Sequence, residues 1–413
     1  MNSQLAAAVP FRNRGWSVTF AGTGINLALG VLYTWSMFKA AIGKEFGWQT
    51  AQLNDPYALC CIVFAFSMIL AGRCQDKLGP RLTASIGGLL VGAGLVLIST
   101  TQSYSTWVLG FGVLVGIGLG FGYSSATPPA LKWFPPAKTG LIAGLVVAGF
   151  GLAPVYLAPA SDYLLGRFGL LTSMRIYGLA FTVIVCGLAQ LLVNPPPGYT
   201  AAPTPATPSL RPKPPAANLG PAEILATPTF WVLWIIYFIG SGAGLMVISS
   251  VSGMAKKTMG TSAFVAVAVM AIGNAAGRVC AGLLSDKIGR RATLLLVLLI
   301  QAALMLIAIP VTGSEHGPKF VIVLLATLIG FNYGANLSLF PSYAKDLWGL
   351  KSFGLNYGFL FTAWGVGGFA LSRVQQMLYA TSKNFDSSFI AAAVLLIIGS
   401  ALTFLLKPRS KAA

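Results

Sequence analysis

The chain is short of charge. Only 9% of its 413 residues are Asp, Glu, Lys or Arg, where a water-soluble domain would carry roughly a quarter. So few ionic groups cannot clothe a soluble globule, which leaves an apolar medium as the solvent for most of the chain. Acids are scarcest of all: Glu45, Asp55, Asp76, Asp162, Glu223, Asp286, Glu315, Asp346 and Asp386, with His316 as the one histidine. All nine acids fall in loops or at the ends of apolar runs. No constellation for acid–base catalysis or metal ligation results, so neither an enzyme nor a resident cofactor or metal is expected. The absence of a G-x-x-x-x-G-K-[ST] loop excludes a nucleotide-driven pump of that type. The five cysteines, Cys60, Cys61, Cys74, Cys186 and Cys280, form no disulfide framework. No signal peptide is expected ahead of the first run: Ala6-Ala7-Ala8 follows no apolar core, and the run that starts at 17 is too long to be one.

What the chain has is apolar runs. Hydrophobic residues make up 56% of it, and a bilayer-crossing helix needs about 20 of them in succession. The runs predict spans at 17–41, 53–74, 82–102, 105–130, 138–163 and 170–192, then at 229–252, 261–284, 290–311, 318–342, 352–380 and 385–406. Helices satisfy their own backbone polar groups in lipid, whereas a membrane barrel would show weaker alternation in segments of about 10 residues. The expected fold is therefore an all-α membrane protein of twelve transmembrane helices.

The formal net charge of +18 would suggest a nucleic-acid partner in a soluble protein; here it reports orientation. Of the 27 Lys and Arg, 17 fall in loops and tails on one side of the expected membrane, among them Arg73, Lys77, Arg81, Lys287, Arg290 and Arg291, and 7 on the other. Positive charge collects on the cytoplasmic side, which puts both termini in the cytoplasm and requires an even number of spans.

Residues 194–226 divide the spans six and six. This stretch begins NPPPGYTAAPTPATPSLRPKPP and carries no apolar periodicity, the composition of a semi-extended linker. Its position defines an N-terminal bundle over 1–193 and a C-terminal bundle over 227–413. The halves also repeat. Gly72 to Arg81 and Gly282 to Arg291 both read G-x-x-x-D-K-x-G-x-R, 210 positions apart, each after the second span of its half. Two related halves enclosing a midplane site are a transporter layout. The paired motif, the division into six and six and the central linker resemble the major facilitator superfamily, which implies two pseudo-symmetric six-helix bundles. Asp76 and Asp286 can cap a neighbouring helix N-terminus or pair with Arg81 or Arg291. Such contacts exist only while the cytoplasmic ends are together, so these four residues are expected to gate.

A charge inside the bilayer is costly and usually functional. The eighth span contains Arg278, one turn inside Gly282, with Asn274 a further turn in, about 6 Å along the axis and on the same face. A guanidinium with no acid in its own helix suits a carboxylate, which it can grip with two parallel hydrogen bonds. Arg175 and Arg373 lie nearer the outer ends and are expected to snorkel.

Residues 133–151, WFPPAKTGLIAGLVVAGFG, with Arg14-Gly15-Trp16, look like the signature stretches of monocarboxylate transporters and oxalate/formate antiporters. The likeness runs from about Gly15 to Leu406 and assigns roles. It implies that Arg278 binds carboxylate, that Asn274 replaces an aspartate used in proton coupling, and that Trp364 stands where oxalate transporters keep a second cation. The first-span lysine of animal relatives has no counterpart around Tyr33 to Met37. It further implies that Tyr33, Tyr123 and Tyr333 line the cavity, and Leu145 could wall off the substrate's methyl end. One cation suits a monoanion, because a dianion would leave net buried charge. The expectation is a monomeric secondary transporter in a bacterial cytoplasmic membrane. It would carry a lactate- or pyruvate-like monocarboxylate, with a proton. The alternative is an exchanger of small anions that include dicarboxylates.

Overall fold

The computed structural model describes residues 13–201, 218–259, 263–313, 319–382 and 384–406. Residues 202–217 of the Pro-rich segment lie outside them, as do Glu315 and His316. The described residues contain no β-strand. Their long helices are α1 (Gly15–Phe46), α2 (Thr50–Leu78), α3 (Pro80–Ile98), α4 (Tyr104–Trp133), α5 (139–168), α6 (170–189), α7 (Pro228–Met259), α8 (Ala263–Ile288), α9 (Arg290–Gly313), α10 (Lys319–Trp348), α11 (Phe353–Ser382) and α12 (Asp386–Leu402).

Ten helical stretches are long and apolar enough to cross a membrane, with α5 and α6 counted as one and α11 left out. The 51 residues Thr139–Ala189 run on without a loop, and as one rod they would reach about 76 Å. They do not. Gly169 has φ 73° and ψ 174°, a backbone region open to glycine, and the chain doubles back there. The Ser161 and Tyr177 hydroxyls, 16 residues apart and placed evenly about Gly169, meet at 2.8 Å. Apolar composition passes over α11 because Asn356, Tyr357, Gln375 and Gln376 dilute its run.

The packing is two-fold. In the N-terminal bundle α1 packs on α4 and α5, α3 on α4 and α6, and α2 on α4. In the C-terminal bundle α7 packs on α10 and α11, α9 on α10 and α12, and α8 on α10. Every pair in one set is the image of a pair in the other. The bundles join mainly along α2–α11 and α5–α8.

The repeated motif explains much of that junction. Gly79 and Gly289 turn the chain between helices at φ 89° and 95°, where a side chain would be strained. The first glycine of each motif sets the contact between halves. A Cβ on Gly72 would lie 2.1 Å from the Gly354 carbonyl oxygen, and one on Gly282 would lie 2.2 Å from that of Gly140. Backbone meets backbone at this end of the molecule, and α5 and α11 are largely buried there over 139–151 and 353–365. Further along, over 152–168 and 366–382, both helices show many exposed positions. The halves are thus closed at the motif end.

Candidate functional site

Four residues beyond each motif's first glycine, on the same helix face, stands its aspartate. Asp76 accepts hydrogen bonds from the Gly354 and Leu355 backbone N–H groups at 3.0 and 2.9 Å. Asp286 accepts from those of Gly140 and Leu141 at 2.9 Å each. Each carboxylate therefore caps the first turn of a helix in the opposite half, α11 or α5, where unpaired N–H groups and the helix dipole favour negative charge.

Of the alternatives open in the sequence, capping is the one observed. Arg81 donates instead to the Leu192 carbonyl at 3.3 Å, and Arg291 lies over the Phe404 ring at 4.9 Å. The arginine that pairs with Asp286 is Arg290, at 2.7 Å, and Arg290 also reaches Asp346 at 3.1 Å. Its counterpart position in the first motif is Pro80, so the two caps differ in charge. Lys345 adds another bridge between halves, donating to the Leu131 carbonyl near the C-terminus of α4 at 3.2 Å.

Above this closed end, near mid-height, a small cavity with room for about one water molecule is lined by Tyr33, Phe64, Tyr123, Phe150, Arg278, Leu337, Phe361 and Trp364. Both halves contribute. Arg278 is fully buried and no carboxylate pairs with it among the described residues. Its Nε donates to Asn274 Oδ1 at 2.9 Å, and Nη1 donates to the Val147 carbonyl across the interface at 2.5 Å. These two contacts fix the plane of the guanidinium. They leave Nη2 buried without a partner, an unmet cost of roughly 1–3 kcal/mol or more for a charged group. Nη2 is thus the one guanidinium nitrogen left uncommitted.

The hydroxyl of Tyr333 accepts from Trp364 Nε1 at 2.9 Å and lies 3.3 Å from that of Tyr33. Tyr33 arrives there because α1 tightens into a 3-10 segment at Gly30–Thr34, held so close to α5 that a Cβ on Gly30 would sit 2.2 Å from Ala153 Cβ. Its ring then meets Phe150 edge-on at 5.2 Å. Phe64, Phe150, Tyr123, Phe361 and Trp364 close the rest of the wall, with neighbouring centroids 5.2–6.0 Å apart.

The structure thus brings together Arg278, Asn274, Tyr33, Tyr123, Tyr333 and Trp364. Leu145 is not among the lining residues. Its helix turns Gly144, Val147 and Gly151 toward α8, and the Leu145 carbonyl accepts from Thr23 of α1 at 3.1 Å. Phe150 of the same helix lines the cavity. Phe64, Leu337 and Phe361 were invisible in the sequence, being three among many apolar residues in apolar helices. Arg290 carried a signal, an arginine directly beside the motif's own. Asp55 accepts from Tyr104 at 2.7 Å, away from the lining set, and Arg175 and Arg373 are exposed.

A profile of the Major Facilitator Superfamily matches residues 17–372. Among characterised and uncharacterised relatives, the chain is 28% identical to the uncharacterized MFS-type transporter YhjX of Escherichia coli over 85% of each chain. It is 28% identical to the oxalate:formate antiporter of Oxalobacter formigenes over 96% of this chain and 92% of that one. It is 23% identical to monocarboxylate transporter 13 of Rattus norvegicus over 94% and 87%. Its fold matches the crystal structure of FucP in the outward conformation with a TM-score of 0.71 at 15% identity, covering 95% of this chain and 99% of that one.

Proposed function

This chain belongs to the Major Facilitator Superfamily, and on that premise we propose that it carries a small monocarboxylate of the lactate or pyruvate class across the bacterial cytoplasmic membrane together with a proton. One observation carries the reading: a fully buried arginine, held by Asn274 and Val147, keeps an unpartnered nitrogen at a cavity shared by both halves. A carboxylate is the group that satisfies such a nitrogen. The cavity holds one cation and no acid among its lining residues. A monoanion brings it to neutrality; a dianion would leave a buried negative charge.

The motif end, where the positive loops gather, is the cytoplasmic end on this reading, with 194–226 as the cytoplasmic linker between the bundles. The present form is then closed to the cytoplasm and takes its anion from outside. Asp76 and Asp286 with Arg290 hold that closure as gate residues, while Arg81 and Arg291 anchor the loops beside them. Neutralising Arg278 lowers the cost of sealing the cavity, after which rocking of the halves breaks the caps and opens the cytoplasmic side. The solitary form of the chain is sufficient for this cycle.

Exchange of small anions is the second reading, favoured by likeness to the Oxalobacter antiporter along 96% of the chain. Uptake of labelled L-lactate into proteoliposomes under an inward proton gradient separates the two. Uptake that a protonophore abolishes and excess oxalate leaves intact is the expected result. Absent lactate uptake with oxalate exchange in its place would overturn the monocarboxylate reading.

A further inference from the structure

Phe361 divides the centre of the molecule. On one side stand Arg278, Tyr33 and Trp364. On the other, toward the motif end, three tyrosines from three helices gather around it. Ring centroids lie 5.3 Å from Phe361 for Tyr123 of α4, 6.1 Å for Tyr237 of α7 and 5.8 Å for Tyr357 of α11. Tyr357 is one turn nearer the start of α11 than Phe361, about 6 Å along the axis. Its hydroxyl comes near enough to those of Tyr123 and Tyr237 to interact with both. The rings are 4%, 0% and 3% exposed for Tyr123, Tyr237 and Tyr357. Yet the hydroxyls of Tyr237 and Tyr357 make no hydrogen bond of normal geometry, and neither does Thr127 Oγ1, one turn beyond Tyr123.

Phenylalanine would fill this space equally well. Phe64, Phe340, Phe353 and Phe361 already do so nearby, and a buried hydroxyl without a hydrogen bond of normal geometry is a net loss. Three hydroxyls converging in an apolar layer need a use in another state of the protein. They are neutral donors, so they can hold a carboxylate without trapping it, more weakly than the charge-assisted bonds of an arginine. Tyr123 belongs to both places, lining the Arg278 cavity and touching the tyrosine group. Their layer lies between Arg278 and the glycine contacts that part when the motif end opens.

We propose that Tyr123, Tyr237 and Tyr357 form a second, transient subsite for the carboxylate, on the release side of Phe361, occupied after the anion leaves Arg278 and before it reaches the open motif end. This rests on the carboxylate reading above and adds a place on the exit path. The subsite makes release stepwise: Tyr123 keeps hold of the carboxylate as Arg278 lets go, and Tyr357 receives it.

The test uses the full-length protein in proteoliposomes with labelled L-lactate and, in parallel, oxalate. Tyr237→Phe and Tyr357→Phe preserve the rings and remove one hydroxyl each. Half-saturation from the outside is expected to stay within about twofold of the parent, while turnover of net uptake falls about fivefold for each and further for the pair, the loss of an ordinary hydrogen bond from a rate-setting step. Thr127→Val serves as an independent variant and should lower turnover in the same sense. Lactate quenching of tryptophan fluorescence in detergent verifies that each variant is folded and still binds. Unchanged turnover, or half-saturation that worsens in step with turnover, would overturn the subsite. A parent protein with no Arg278-dependent uptake of either anion would overturn the functional reading as well, so the two failures are told apart by the parent alone.

Discussion

Arg278 is worth more than its charge. Its Nε and Nη1 are committed to Asn274 and Val147, so the side chain is a positioned fork at the cavity with Nη2 uncommitted. Lysine at this position would keep the charge, lose the plane and leave the Val147 carbonyl and Asn274 amide in want of donors. Arg278→Lys is expected to weaken lactate binding on the order of 30-fold or more, from two such losses of about 1 kcal/mol or more each. Isothermal titration of the purified protein reads this directly, and near-parent affinity would remove Arg278 from the site. The fork and Asn274 were legible in the sequence because an arginine in an apolar helix is conspicuous and a four-residue spacing fixes a shared face. Leu145 was misplaced for the complementary reason. Helical period alone does not say which way a Gly/Ala-rich helix is turned, and the close backbone contacts at Gly144 and Gly151 with α8 decide it.

At the scale of elements, the two motif copies each join a glycine contact to a carboxylate cap, and both face the opposite half. A side chain at the glycine pushes apart two backbones that cannot give way, a strain typically of 1–3 kcal/mol. Loss of the carboxylate's charge takes about 1 kcal/mol from a cap. Gly282→Ala and Asp286→Asn should therefore both favour the form open at the motif end. Hydrogen exchange followed by mass spectrometry is the measurement. The capped amides of Gly140 and Leu141 are expected to exchange faster, and so are those of Gly354 and Leu355, which belong to the other cap but to the same closure. Acceleration at Gly140 and Leu141 alone would mean that the caps are local trims and not parts of one gate. The motif's aspartates were foreseeable as caps, since their position at a helix end needs a donor group. Their partners were not, because α5 and α11 are distant in the chain. Nor was the role of Arg290 over Arg291, which depends on the reach of Asp346 from α10.

For the whole molecule, the expected membrane orientation follows from where positive charge lies and is open to a direct check. In a cysteine-free background, Gln102→Cys, between α3 and α4, should react with an impermeant maleimide in intact cells, and Lys351→Cys, between α10 and α11, should react only after lysis. The reverse pattern would invert the cytoplasmic assignment of the gate. Composition, apolar runs and the repeated decapeptide determined the all-helical membrane class, the two-fold design and the family, because burial in lipid and the helical repeat act locally along the chain. The reversal at Gly169 was legible too, as two successive expected spans, although the turn itself has no loop to mark it. Only the tertiary structure decided which aromatic rings meet Arg278, which helix each aspartate caps, and that Phe361 parts a charged cavity from a layer of buried tyrosines whose hydroxyls meet only one another. Those facts depend on how helices far apart in sequence are rotated against one another, and in an apolar chain with 25 phenylalanines and 13 tyrosines that rotation is set by packing between helices, which leaves no periodic mark on any one of them.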